Sequence, residues 1–147
     1  MKMHFWLIAA ACGAFQVLQA MTNGAAARAG LGAIWAGAMS ATVSALALVL
    51  AAVAFYRLPL PEAGLVQAHG LKVVAGGMMG GFIVAGLAFV APRLGPTQTF
   101  ILFFFAIAVA STLIDGFGLF GAQAKPPEAR QLIGVALVGV GLALARS

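Results

Sequence analysis

Five apolar stretches, each close to the length of a membrane-crossing helix, follow one another through this sequence with breaks between them. They cover about 3–21, 33–56, 73–90, 97–120 and 131–145. Bilayer hydrocarbon is about 30 Å thick, and a helix needs roughly 20 largely apolar residues to cross it. The runs are too long and too evenly apolar for the period-two alternation of a membrane β-barrel. The pattern therefore predicts an all-α membrane protein, a bundle of five transmembrane helices in a single transmembrane domain over 1–147. Composition points the same way. Of 147 residues, 63% are hydrophobic and only 7% charged, against about 25% charged in a typical soluble domain. With so little polar surface to spend, the solvent of this chain is mostly lipid, and no separate soluble domain is expected.

The breaks between runs have clear causes. Asn23 and Arg28 interrupt the first, in a loop expected to end near Gly32. Arg57-Leu-Pro-Leu-Pro-Glu-Ala-Gly64 stops the second with two prolines and two charges. Ala91-Pro-Arg-Leu-Gly-Pro96 is a turn, and Gly121–Arg130 is a polar loop containing Lys125-Pro-Pro-Glu128. Lys2, the apolar stretch after it and Leu18-Gln-Ala20 loosely resemble a secretion signal, and Ala9-Ala-Ala-Cys12 a lipoprotein cleavage site. A secretion signal normally precedes a soluble domain, whereas more membrane follows here, so the segment is expected to stay as the first helix.

The net charge of +5 comes from basic residues scattered one or two per loop, which does not fit a nucleic-acid surface. Such residues set orientation. An odd number of helices puts the termini on opposite sides. The N-terminal side then collects five, Lys2, Arg57, Lys72, Lys125 and Arg130; the other collects three, Arg28, Arg93 and Arg146. The positive-inside rule favours a cytoplasmic N-terminus by that difference of two, small enough to permit both orientations. Two oppositely inserted copies would form an inverted repeat, an architecture common among transporters.

Several activities are excluded. The lone Cys12 leaves no intramolecular disulfide, and no His/Cys/Glu cluster has metal-ligand spacing. No phosphate-binding loop of the nucleotide-hydrolase type occurs, so any transport is passive or ion-coupled. No cofactor is expected, and no pair of catalytic residues converges, so the chain is not read as an enzyme.

Polar groups inside a membrane are costly and are functional candidates by default. Cys12, Gln16, Gln19 and Asn23 fall within about 60° of arc at 100° per residue on the first helix, opposite Leu7, Ala10, Ala14, Leu18 and Met21. Gln16, Gln19 and Asn23 are candidates to line a substrate cavity; the alternative is hydrogen bonding between helices. Asp115 is the one acid within an apolar run, with Ser111 a turn before it. Both are cavity candidates, and Asp115 has an alternative at the interface, solvated or paired with a loop arginine. Small residues mark close helix approach. Gly32, Ala36, Ser40 and Ser44 recur every four residues, as do Gly76 with Gly80 and Gly77 with Gly81. Packing within the monomer is the favoured reading of these rows, ahead of a subunit interface. Arg28 and Arg93 flank helix ends, where arginines reach for headgroups.

Ordered strings along nearly the whole chain are similar to one family. Gln19-Ala-Met-Thr-Asn23, with Gly13 six residues earlier, resembles the first-helix signature of the YdcZ-like proteins, the short five-helix branch of the drug/metabolite transporter superfamily. Gly77-Met-Met-Gly80 leading to Ala91-Pro-Arg-Leu-Gly95 resembles their third helix and turn, Ser111-Thr-Leu-Ile-Asp115 with Phe117-Gly-Leu-Phe-Gly121 the end of their fourth, and Gly134 through Gly141 their last. The sequence departs from the family pattern at Gly116, where a histidine is frequent, at Ile107, where a glutamine is frequent, and at Ala41 and Ser44, which replace a Phe and a Gly. The resemblance implies a bacterial inner-membrane location and half of a ten-helix inverted-repeat transporter. It also implies a second copy, or a related five-helix protein, as partner. The expected function is a secondary or passive transporter of small organic molecules, metabolites or drugs, with alternating access as an antiparallel dimer. With no acid in the central part of any helix, neutral or weakly polar substrates are favoured. The competing reading is a non-transporting scaffold or a subunit of a larger complex.

Overall fold

In the computed structural model, which describes residues 3–121 and 123–145, the chain is all-α. Five helices follow in order: α1 Met3–Ala26, α2 Ala33–Leu50, α3 Ala63–Leu94, α4 Pro96–Phe117 and α5 Ala129–Ala145. No strand occurs among the described residues. Lys2 and Arg146, which enter the charge comparison, lie outside them. Four helices are long and apolar enough to cross a bilayer. The fifth has 17 residues and a length of about 26 Å at 1.5 Å per residue, short of the roughly 30 Å hydrocarbon core.

Helix ends depart from the apolar runs where hydropathy and hydrogen bonding have different limits. α3 begins at Ala63, ten residues before Val73. Gln67, His69 and Lys72 lower the hydropathy there without opposing helix, since the straight-chain residues Gln and Lys are good helix formers. Only Pro59 and Pro61 stop the chain. α1 continues beyond Met21 to Ala26 and then through one π-helical turn, Ala27–Leu31. Gly30 (φ 112°) and Gly32 (φ 78°, ψ 150°) make the reversal. The α3–α4 turn repeats this device: Gly95 stands at φ 82°, ψ 153° before Pro96 in the first turn of α4. Proline's fixed φ and missing N–H suit that position. α4 ends at Phe117, before Phe120, because Gly118 takes the left-handed conformation (φ 63°) and donates its N–H to the Ile114 carbonyl.

The chain divides into two compact units, Met1–Arg93 and Leu94–Ser147. In the first, the buried residues are all glycine or alanine except Leu87, and they gather around the α1–α2 reversal: Ala20 and Gly24 of α1, Ala36 and Gly37 of α2, and Leu87, Ala88 and Ala91 of α3. A Cβ on Gly37 would lie 3.2 Å from the Ala85 backbone. A Cβ on Gly24 would lie 2.6 Å from Cγ of Pro92, so the missing side chain makes room for the proline ring inside α3. Away from this knot, residues 41–50 of α2 and 71–79 of α3 are all exposed. In the second unit, Gln98 Nε2 donates to the Ala145 carbonyl (3.1 Å), and Gly139 lies under the Phe105 ring. The loop returns through Lys125 N–H donating to the Asp115 carbonyl (2.8 Å).

Candidate functional site

A polar stripe on a membrane helix must either find partners or face water, because lipid offers none. Gln16, Gln19 and Asn23 are each part-buried on α1, whereas Leu18 and Thr22 between them are exposed. Gln19 Nε2 donates to Ser40 Oγ of α2 at 3.4 Å, the one hydrogen bond between side chains in the described structure. Ser40 is thus the polar member of the Gly32–Ser44 row that meets α1. Ala36 of that row is buried, while Gly32 and Ser44 are exposed. Asn23 Nδ2 is buried and has no hydrogen-bond partner. A buried amide donor left unpaired costs about 1–3 kcal/mol, so Asn23 is the position on the stripe with most to gain from a polar ligand. Cys12, at the start of the stripe, is exposed.

Ser111 and Asp115 are exposed, one turn apart on α4. Ser111 Oγ donates to the Ile107 carbonyl (2.7 Å) and Thr112 Oγ1 to that of Ala108 (2.8 Å). Both hydroxyls are satisfied within their own helix, as is common for Ser and Thr in apolar surroundings. The Asp115 side chain has no partner among the described residues. The structure therefore groups Gln16, Gln19 and Asn23 on one helix face, and Ser111 with Asp115 on another helix.

The glycine rows of α3 have a different place from the packing glycines above. A Cβ added at Gly76, Gly77, Gly80 or Gly81 would meet nothing within 4 Å. Their neighbours Met78, Met79 and Phe82 are exposed and border a shallow apolar hollow with Ala75 and Ile83. Close approach inside the first unit is made instead by Gly24 and Gly37, neither of which sequence reasoning singled out. The available signal was the run of alanines at 85, 88 and 91 of α3: Ala85 stands against Gly37, and the Ala88 carbonyl with the Pro92 ring against Gly24, so larger residues than glycine form one side of each contact. Among the described residues, no group of three or more His, Cys, Asp or Glu side chains could hold a metal.

A family model described as "Putative inner membrane exporter, YdcZ" matches residues 4–144. No curated protein and no solved structure matches the chain.

Proposed function

Because the chain belongs to the YdcZ family of inner membrane proteins, we propose that it carries small organic molecules out of the cell by alternating access, as one half of an antiparallel pair. The family match over residues 4–144 carries the reading of a membrane transporter. The finer parts rest on physical arguments. Five helices, four of them long and apolar enough to span, are half the number of a ten-helix transporter, and a second inverted copy would supply the other half around a midplane cavity. The part-buried Gln16, Gln19 and the unpaired Asn23 amide suit the polar lining of such a cavity. The unoccupied glycine rows at Gly76/Gly80 and Gly77/Gly81 suit its closest helix contact. The same rows favour the second reading, a non-transporting subunit of a larger complex.

Comparing the medium of cells that make the protein with that of vector-only cells, by untargeted mass spectrometry, tests the proposal. Enriched compounds would then be assayed in proteoliposomes. The expected result is at least one small organic compound enriched severalfold and moved by the purified protein. No enrichment, together with stoichiometric co-purification with an unrelated membrane complex, contradicts it and supports the second reading.

A further inference from the structure

Arginine is always charged and presents five N–H donors in a planar fork. An unpaired arginine at a helix end is therefore a strong anion ligand when it is held in place. Two of them share one cleft in the first unit. The cleft has a volume of about 300 Å³ and is lined by Arg28 and Gly32 of the α1–α2 reversal, by Ala27 and Ala33 on either side of it, and by Phe89, Pro92 and Arg93 of α3. Arg93 is held by its own helix: its guanidinium carbon sits 3.6 Å above the Phe89 ring centroid, and one N–H donates to the Phe89 carbonyl. That leaves most of its donors free. Arg28 has no hydrogen bond or ion pair among the described residues. The first unit holds one acid, Glu62. It precedes α3, which has 32 residues, and so lies about 45 Å along the axis from Arg93 at 1.5 Å per residue. It cannot neutralise either arginine.

The backbone adds to the same field. Gly32, at φ 78° and ψ 150°, opens α2 with no side-chain cap on its first N–H groups, and free N–H groups at a helix start favour an anion. Pro92 and Gly24 hold α3 against α1 at this level, which keeps the end of α3 beside the α1–α2 reversal. Both sit at helix-end turns, where the boundary of hydrocarbon and water lies.

We propose that this cleft is a binding site for a phosphate group, taken either from an anionic lipid headgroup or from a soluble organic phosphate. The proposal does not rest on the transport reading, since it concerns one unit of one chain. The test uses the full-length protein in neutral detergent. Its thermal stability is followed during titration with phosphatidylglycerol, with phosphatidylcholine and with glycerol phosphate at constant ionic strength. Stabilisation by mass action reports binding to the folded state. The expected result is a shift with phosphatidylglycerol, glycerol phosphate or both that exceeds the shift with phosphatidylcholine. Phosphatidylglycerol alone identifies a lipid site; glycerol phosphate alone, a soluble one. In R28Q/R93Q the half-saturating concentration rises at least about tenfold, as expected when charge-assisted hydrogen bonds are lost, while R57Q/R130Q responds as the unaltered chain does. Native mass spectrometry of the unaltered protein repeats the comparison without relying on a variant: phosphate-bearing adducts should persist in phosphatidylglycerol or glycerol phosphate and fall away when sulfate is added in excess. Equal responses to both lipids with none to glycerol phosphate, an unchanged response in R28Q/R93Q, or adducts indifferent to sulfate would overturn the proposal.

Discussion

Glycine 37 places the α2 backbone against that of α3. A methyl group there would lie 3.2 Å from three atoms of Ala85, two of them backbone. At Gly24 the methyl would meet the ring of Pro92 at 2.6 Å, and that ring is not the far end of a flexible side chain. In lipid, helices associate through close backbone approach rather than a hydrophobic drive, so these two positions carry much of the first unit's cohesion. Overpacking of this kind costs about 1–3 kcal/mol. G24A and G37A should each lower the melting temperature of the purified protein, whereas G76A, with open space around its Cβ and a better helix former in place of glycine, should not lower that of the dissociated chain. Equal losses in all three would mean that the contacts differ from those described. Sequence reasoning reached the polar residues of this region, Gln16, Gln19 and Asn23, because hydropathy makes polar groups conspicuous inside a long apolar run. It did not reach Gly24 and Gly37. Glycines are spread along every helix of this chain, and only the placement of Ala85 and Pro92 opposite them distinguishes these two.

At the scale of elements, the existence and order of the five helices were legible because each needs a long apolar run, and such runs are hard to mistake. Their ends were less so. A hydropathy boundary marks where lipid stops, but α3 persists through Gln67, His69 and Lys72 until Pro61 forbids it. Its 32 residues span about 48 Å at 1.5 Å per residue, more than the hydrocarbon core, so its first turns belong at the headgroups or beyond. The turns before α2 and α4 depend on two glycines in nearly the same conformation, Gly32 (φ 78°, ψ 150°) and Gly95 (φ 82°, ψ 153°). This region is open essentially to glycine alone, and forcing another residue into it costs about 1–3 kcal/mol. Neither position has an atom within 4 Å of a Cβ, so G32A and G95A should destabilise through backbone strain only. Thermal unfolding should therefore show a similar loss for alanine and for the larger serine. A loss that grows steeply with side-chain size would point to a contact instead.

At the scale of the whole molecule, the chain belongs to the YdcZ family of inner membrane proteins, and the antiparallel pair is the proposal that would turn its five helices into a transporter. Its motivation was readable in the charges: five basic residues assigned to one side and three to the other, too even a division to fix one orientation. The sequence had no means of showing that Gly76, Gly77, Gly80 and Gly81 lack an intrachain contact, because glycine spacing is the same whether the partner helix belongs to the same chain or to another. The convergence of Arg28 and Arg93 on one cleft was hidden in the same way, since 65 residues separate them in sequence (93 − 28). The most direct test of the paired, oppositely inserted arrangement is a C-terminal fusion to two reporters, a fluorescent protein active in the cytoplasm and a phosphatase active outside it, expressed in cells without any related five-helix protein. Both fusions should be active at comparable levels, and adding a single lysine to the loop at 123–128 should shift the balance toward one of them. Activity on one side only, in those cells, would contradict it.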